Sequence, residues 1–316
     1  MKPARLLPRS ARRAVHGVLL LDKPLGWTSN DALQKTKGML RAEKGGHTGT
    51  LDPLATGLLP LAFGAATKFA QASLDADKRY LATLRLGQTT STADGEGAVL
   101  SSVEVTVTRE KIEAAVAAHT GALMQLPPMH SAIKHEGRAL YEYARQGIEI
   151  ERPRRAVIIH RIDIVSWWAP HLMIDVSCSK GTYIRTLAED IGAALGCGAF
   201  LSALRRIGSG ALDISRAVTL EAFEAMTEAQ RDACLLTPEV LVADWPAVAL
   251  DGDEAAKFLT GLRRRISRPD APAVRVYGPP HTSRVGPSFL GSAHITGGEL
   301  IADRLLSPLE VQALAA

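Results

Sequence analysis

Apolar positions along the chain come in short sets whose spacing switches repeatedly between the period of a strand and that of a helix. Residues 17–21 form a continuous apolar run that reads as a buried strand, closed by the turn Asp22-Lys23-Pro24-Leu25-Gly26. Ser29 follows as a helix cap, and Ala32, Leu33, Met39 and Leu40 give one helical face ending near Gly45. Residues 58–63 read as a strand and 67–74 as a helix. In 79–86, Tyr80, Ala82, Leu84 and Leu86 alternate as the positions of a strand should. A short helix is expected at 110–119, and strands resume at 156–165 and 172–178. In the latter, Leu172, Ile174, Val176 and Cys178 turn inward while Met173, Asp175 and Ser177 face outward. A helix over 187–195 and two helical segments at 219–226 and 227–234 complete a series of alternating helices and strands.

Breaks in this rhythm divide the chain. Residues 89–97 are a polar loop whose acids, Asp94 and Glu96, lack the spacing of a metal site. After Pro127-Pro128, the segment MHSAIKHEGRALYEYARQGIEIERPRR (129–155) has a hairpin-like start, a helix-like stretch over 139–145 and a basic exit, the texture of an inserted surface unit. Thr237, Pro238, Asp244, Trp245 and Pro246 mark a linker. Beyond it, recurrent Gly and Pro between short apolar runs, with one helix at 254–259, predict a small β-rich module.

A length of 316 residues allows two domains. The net charge of +4 and isoelectric point near 9.0 are only mildly basic, but the distribution is uneven. Basic residues cluster in the arm 1–16 (Lys2, Arg5, Arg9, Arg12, Arg13), at Arg152, Arg154 and Arg155, at Arg205 and Arg206, and at Arg263, Arg264, Arg265 and Arg268. Each is a solvated face or a set of phosphate contacts. The cysteines Cys178, Cys197 and Cys234 are odd in number and far apart, which suggests neither a disulfide framework nor a zinc site and fits a reducing, cytoplasmic setting. No apolar stretch approaches the ~18 residues needed to span a bilayer, and the run after the arm is too short for a signal peptide.

The most unusual stretch is 45–57, Gly-Gly-His-Thr-Gly-Thr-Leu-Asp-Pro-Leu-Ala-Thr-Gly, a shaped loop in which Pro53 pushes Asp52 out of the helical region. An isolated Asp-Pro is a common turn initiator. Here the whole string GGHTGTLDPLATGLLP resembles the catalytic loop of the TruB family, tRNA pseudouridine synthases acting on uridine 55 of the T loop. The resemblance continues through LLLDKPLGWTS, KGTYIRT and CGAFLSALRRIGSGAL, and more loosely through Gly-Leu-Arg-Arg-Arg-Ile and the closing Gly-Glu-Leu-Ile-Ala-Asp-Arg-Leu-Leu-Ser-Pro.

That resemblance implies an α+β fold: a central mixed, largely antiparallel sheet with flanking helices over 17–244, and a PUA-like RNA-binding β-barrel over 245–316. It implies that 129–155 is a lobe that grips the RNA stem-loop. Asp52 is then the nucleophile and Arg185 its guanidinium partner, favouring the charged carboxylate. Tyr80 stacks on the flipped base or serves as the base that removes the C5 proton. Tyr183 and Leu204 line the pocket, His47 helps displace the target base, and Lys23 lends structural support or a backbone contact. No cofactor or metal is implied. The partner is the tRNA T stem-loop, met by a monomer without guide RNA, protein partner or membrane. An RNA-binding or RNA-folding protein on the same scaffold, and the guide-RNA-dependent relatives, are the alternatives. The set Asp52, Tyr80, Tyr183 and Arg185 disfavours the first, and the segment 129–155 disfavours the second.

Overall fold

The computed structural model describes residues 12–280 and 286–315; Lys2, Arg5 and Arg9 of the basic arm lie outside them. The first strand, β1 (Gly17–Lys23), is buried almost throughout, as its continuous apolar run requires. Thr28, not Ser29, caps the helix α1 (Ser29–Met39) by accepting from the Asp31 N–H. That helix stops well before Gly45 because Arg41 turns to φ 52°, and the Ala42 N–H closes back on the Lys37 carbonyl at 3.0 Å. Gly45 opens a short strand, β2 (Gly45–His47), and β3 (Ala55–Phe63) begins earlier than its apolar run suggested. A 3-10 turn, Gly64–Phe69, and α2 (Ala70–Asp75) occupy the helix expected at 67–74.

Next come β4 (Lys78–Leu86), the hairpin of β5 (Gln88–Thr90) and β6 (Val99–Ser102), α3 (Arg109–Ala118) and β7 (Gly121–Gln125). The insertion has the expected hairpin, β8 (Lys134–His135) with β9 (Arg138–Ala139), and a short helix, α4 (Leu140–Ala144). Then follow β10 (Arg155–Trp168), β11 (His171–Cys178), α5 (Ile184–Ala194) and β12 (Ala199–Ser209). Beyond them lie β13 (Leu212–Asp213), β14 (Val218–Thr219), α6 (Leu220–Ala225) and α7 (Glu228–Ala233). The last part holds β15 (Ala247–Ala249), α8 (Gly252–Leu259), β16 (Arg264–Arg265), β17 (Ala271–Gly278), β18 (Ser288–Thr296), β19 (Glu299–Leu305) and α9 (Pro308–Ala315). No helix among the described residues is long and apolar enough to cross a membrane.

The chain divides into two compact units. One comprises Leu51–Leu58 and Asp75–Ser209. Its strands run in the order β3, β12, β4, β11, β10, β7, parallel between β3 and β12 and antiparallel elsewhere. One face carries the core: Leu172, Ile174, Val176 and Cys178 are buried as their alternation predicted, together with Ala82, Leu84 and Leu86 of β4. The apolar stripe of α5 (Ile184, Leu187, Ala188, Ile191) and Ile112, Ala115 and Val116 of α3 complete it.

The other unit comprises Met1–Thr50, Leu59–Leu74 and Gly210–Ala316. In it, β1 pairs in parallel with β14, and β2 antiparallel with β3. The β-rich module read from Gly and Pro is a five-stranded sheet in the order β15, β17, β18, β19, β16, closed over Phe258 of α8 and Val274, Val276 and Ile295. It is tied to the rest of its unit through Lys68, whose Nζ donates to the Leu305 carbonyl at 2.8 Å and meets Glu310 at 2.5 Å, and through Phe69 against Phe289.

Candidate active site

Asp52 sits on the turn that feeds β3, where the Ala55 N–H donates to the Asp52 carbonyl at 3.0 Å. What holds this turn is the parallel pairing of β3 with β12, with Leu204 opposite Ala55 and Arg206 opposite Gly57. Gly57 has φ +99°, and a Cβ there would lie 2.3 Å from the Arg206 carbonyl oxygen, so only glycine permits the approach. On its other edge β12 pairs with β4, setting Leu204 against Ala82 and Arg206 against Tyr80. Two strand registers therefore bring Asp52, Leu204 and Tyr80 into one neighbourhood.

Arg185 reaches that neighbourhood from α5. The helix begins at Ile184 rather than at the expected Leu187, because Tyr183 is already the extended cap residue (φ −100°, ψ 109°). Arg185 thus occupies the first helical turn, where the helix dipole disfavours a cation. Two carboxylates offset this. Nη2 lies 3.0 Å from Asp52 Oδ2, Nη1 lies 3.3 Å from Asp94 Oδ2, and Nη2 also donates to the His130 carbonyl at 2.6 Å. The side chains of Arg185 and Asp94 are 8% and 4% exposed, whereas that of Asp52 is 45% exposed. The cation and its inner anion are sealed in, and the outer carboxylate is left open to a ligand.

From the sequence, Asp94 reads only as an acid of a polar loop. Its loop is stitched to β12, the Gly95 N–H donating to the Leu201 carbonyl at 3.1 Å and the Leu201 N–H to the Ala93 carbonyl at 3.0 Å. Its Oδ1 accepts from Thr92 Oγ1 at 2.5 Å and from the Glu96 N–H at 3.1 Å, leaving Oδ2 for Arg185. The local string Thr-Ala-Asp-Gly announces a turn, but no local signal points its carboxylate at residue 185.

Tyr80 packs against the core, and its phenol is pushed up by burial, with Arg206 acting in the opposite direction. Arg206 is itself 1% exposed, donates Nε to the Leu58 carbonyl at 2.7 Å and shares a side-chain hydrogen bond with Tyr80. The expectation that Arg205 and Arg206 form a surface pair is corrected for Arg206: β12 turns it inward. Burial also raises the Tyr183 phenol. With both phenols raised, each is neutral at neutral pH and offers a ring and a hydroxyl rather than a charge.

Lys23 and His47 belong to the other unit. Lys23 is fully buried and donates Nζ to the carbonyls of Pro24 at 3.0 Å and Trp27 at 2.6 Å, closing the turn before α1. His47 ends β2 opposite Leu61. The Thr48 N–H beside it donates to the Pro60 carbonyl at 3.0 Å, and Thr48 Oγ1 accepts from Ser73 at 2.9 Å.

Of the distal arginines, Arg263 and Arg264 are engaged with Glu299 and Glu254, and Arg268 donates to the Ala247 carbonyl at 2.8 Å. Arg265 is exposed on β16.

The chain is similar to known proteins over nearly its whole length. Residues 37–184 match the profile of the TruB family pseudouridylate synthase (N terminal domain), and residues 185–243 that of the tRNA pseudouridylate synthase B C-terminal domain. A tRNA pseudouridine synthase B of Verminephrobacter eiseniae is 57% identical, over 98% of this chain and 94% of its own length. One from Ralstonia nicotianae is 54% identical, over 94% and 96% respectively. Among solved structures, a Cbf5-Nop10-Gar1 complex aligns with a TM-score of 0.71 at 24% identity, covering 98% of this chain and 92% of that one. An H/ACA RNP bound to a substrate RNA containing 2'-deoxyuridine aligns equally well (TM-score 0.71), at 22% identity over 98% and 94%. At that identity these structures speak for the fold.

Proposed function

The chain belongs to the TruB family of pseudouridylate synthases, and from that premise we propose that it isomerises uridine 55 in the T loop of tRNA to pseudouridine, with Asp52 as the nucleophile. The observation that carries this reading is the half-open Asp52 carboxylate, held on one edge by a buried guanidinium that Asp94 braces from behind. Isomerisation breaks the bond from N1 to C1′, forms one from C5 to C1′, moves a proton from C5 and returns one to N1, so no outside group is donated or consumed. The protein must supply an anion at the nucleoside and a pocket that retains the loose uracil.

Asp52 is the anion. The target base lies inside a folded loop and must be flipped out to reach it. Tyr80 then stacks on the base, worth about 1–3 kcal/mol, while Tyr183 and Leu204 wall the pocket. A phenol raised by burial favours Tyr80 as platform and hydrogen-bonding hydroxyl over Tyr80 as a standing phenolate. In this proposal His47 helps displace the base, Lys23 supports the turn before α1, residues 129–155 grip the stem-loop, and 245–316 form a PUA-like module that adds phosphate contacts. The protein acts as a monomer in the cytoplasm, with neither guide RNA nor partner protein.

The deciding experiment incubates an unmodified tRNA transcript with the protein and with Asp52→Asn and maps pseudouridine chemically. The amide keeps the shape and loses the charge, so the variant should bind tRNA and form no pseudouridine. Turnover near the wild-type rate by Asp52→Asn would remove Asp52 from the chemistry.

A further inference from the structure

The insertion leaves and rejoins the sheet at a single rung, since Gln125, the last residue of β7, pairs with Arg155, the first of β10. Gln125 is thus the neck of the lobe. An edge-strand terminus is an ordinary place for a solvated glutamine, yet this one is 2% exposed and turned toward the start of α5. Its Oε1 accepts from the Tyr183 N–H at 3.0 Å, and its Nε2 donates to the Tyr183 carbonyl at 3.3 Å. A primary amide carries an acceptor oxygen and a donor nitrogen side by side, so it can meet the N–H and the carbonyl of one residue together. Gln125 therefore adds a one-residue rung of β-ladder to Tyr183, made by a side chain.

Tyr183 caps α5 with no side-chain cap of its own, so its backbone is fixed by its neighbours. Its carbonyl already accepts the Leu187 N–H at 3.1 Å, and the Gln125 amide takes the second lone pair. Two further contacts run from the neck to the same turn: Thr186 Oγ1 to the Leu126 carbonyl at 3.5 Å, and Arg185 Nη2 to the His130 carbonyl at 2.6 Å. Between these lies the guanidinium that meets Asp52 and Asp94.

We propose that Gln125 is a positioning residue for the reaction: its buried amide locks the cap of α5 to the neck of the insertion, so that the lobe and the Arg185–Asp52 pair move as one. The inference rests on the proposed roles of Asp52 and of the insertion. Gln125 touches neither Asp52 nor the reacting base and acts only through Tyr183 and Arg185. RNA seated on the lobe then bears on the His130 carbonyl and the α5 cap, and aligning the ion pair becomes part of seating the RNA.

The test is Gln125→Met, which keeps the length of the side chain and removes both hydrogen bonds, with Gln125→Glu beside it. Displacing a catalytic group by a fraction of an ångström to 1 Å costs on the order of 10- to 100-fold in rate. Single-turnover pseudouridine formation at saturating tRNA should fall by that amount in Gln125→Met, while Kd for tRNA stays within about threefold. Glutamate keeps the acceptor and can donate only when protonated. Gln125→Glu should therefore work best at mildly acidic pH and lose rate as pH rises, a profile that plain loss of stability does not produce when thermal melts at each pH show the protein folded.

A wild-type rate in Gln125→Met, or a loss confined to Kd, would overturn the proposal. If Gln125→Met fails to fold, the pH profile of Gln125→Glu decides, and a flat profile overturns it. Asp52→Asn run in parallel separates the two readings: an active Asp52→Asn defeats the site assignment, whereas an inert Asp52→Asn with a fully active Gln125→Met defeats the positioning role alone.

Discussion

Replacing Arg185 by methionine should destabilise the fold and abolish the reaction for two different reasons, and a second substitution separates them. At the 3.3 Å between Arg185 and Asp94, an effective dielectric of about 20 gives roughly 5 kcal/mol of attraction. Asp94 is 4% exposed, so Arg185→Met leaves a buried carboxylate without its cation, a change that typically costs about 3–5 kcal/mol. Asp52, at 45% exposure, is rehydrated and adds about 1 kcal/mol or less. In an Asp94→Asn background the inner anion is already gone, and its amide can keep the hydrogen bond from the Glu96 N–H. Arg185→Met should then cost only about 1–2 kcal/mol, a coupling of roughly 2–3 kcal/mol between two groups in contact. Urea denaturation of the four proteins of the cycle measures this, with single-turnover assays on the same samples. Asp94→Asn should therefore cost about 2–3 kcal/mol less in the Arg185→Met background than in the wild type, and the double variant should regain none of the activity, because Asp52 still lacks its partner. Additive stabilities would show that the two charges do not depend on each other. Recovery of activity in the double variant would show that Arg185 serves only to neutralise Asp94.

Two further outcomes test other parts of the molecule. Burial, aided by Arg206, lowers the Lys78 ammonium to about 8, so between about pH 8 and the ordinary lysine value near 10.4 the unfolded chain holds a proton that the folded one has released. Unfolding free energy therefore rises with pH across that window in the wild type and lacks this rise in Lys78→Met; after discounting for solvent screening, the difference between the two should move toward the wild type by about 1–2 kcal/mol, read from urea midpoints at either end. In the distal module, Arg265→Ala should lower the slope of log K against log salt for tRNA by about one, whereas Arg264→Ala, which breaks the pair with Glu254, should show as a lower melting temperature; an unchanged salt slope for Arg265→Ala would mean that this strand does not touch phosphate.

Much of the fold is legible in the sequence wherever a single element decides its own state. The alternation in residues 172–178 translates directly into the buried face of β11, and the hairpin and helix of the insertion follow from Gly137 and the helical spacing after it. Boundaries fail where a partner decides. β3 starts at Ala55 because β12 supplies a ladder there, not because residues 55–57 are apolar. α5 starts at Ile184, and its cap residue Tyr183 is hydrogen-bonded by Gln125 of a distant strand, a contact that no local propensity encodes.

The same distinction explains which parts of the site could be read. The turn at Asp52 is legible because its own neighbours, Pro53 and the glycines, shape it, whereas the candidate roles of Asp52 and Arg185 come from the resemblance of the strings in which they lie. Arg205 and Arg206 carry identical chemistry one position apart, and their fates are opposite: Arg205 is half-buried, while Arg206 is sealed against Tyr80 and the Leu58 carbonyl. What separates them is strand parity, set by the pairing of Arg206 with Gly57 on one side and Tyr80 on the other, and a slip of one residue would exchange the two. Asp94 depends on one further step. Its loop must first be laid on Leu201 of β12, and only then does its carboxylate face Arg185, 91 residues away along the chain. A charge whose role arises from two successive long-range pairings leaves no periodicity at its own position, so its neighbours spell only a turn.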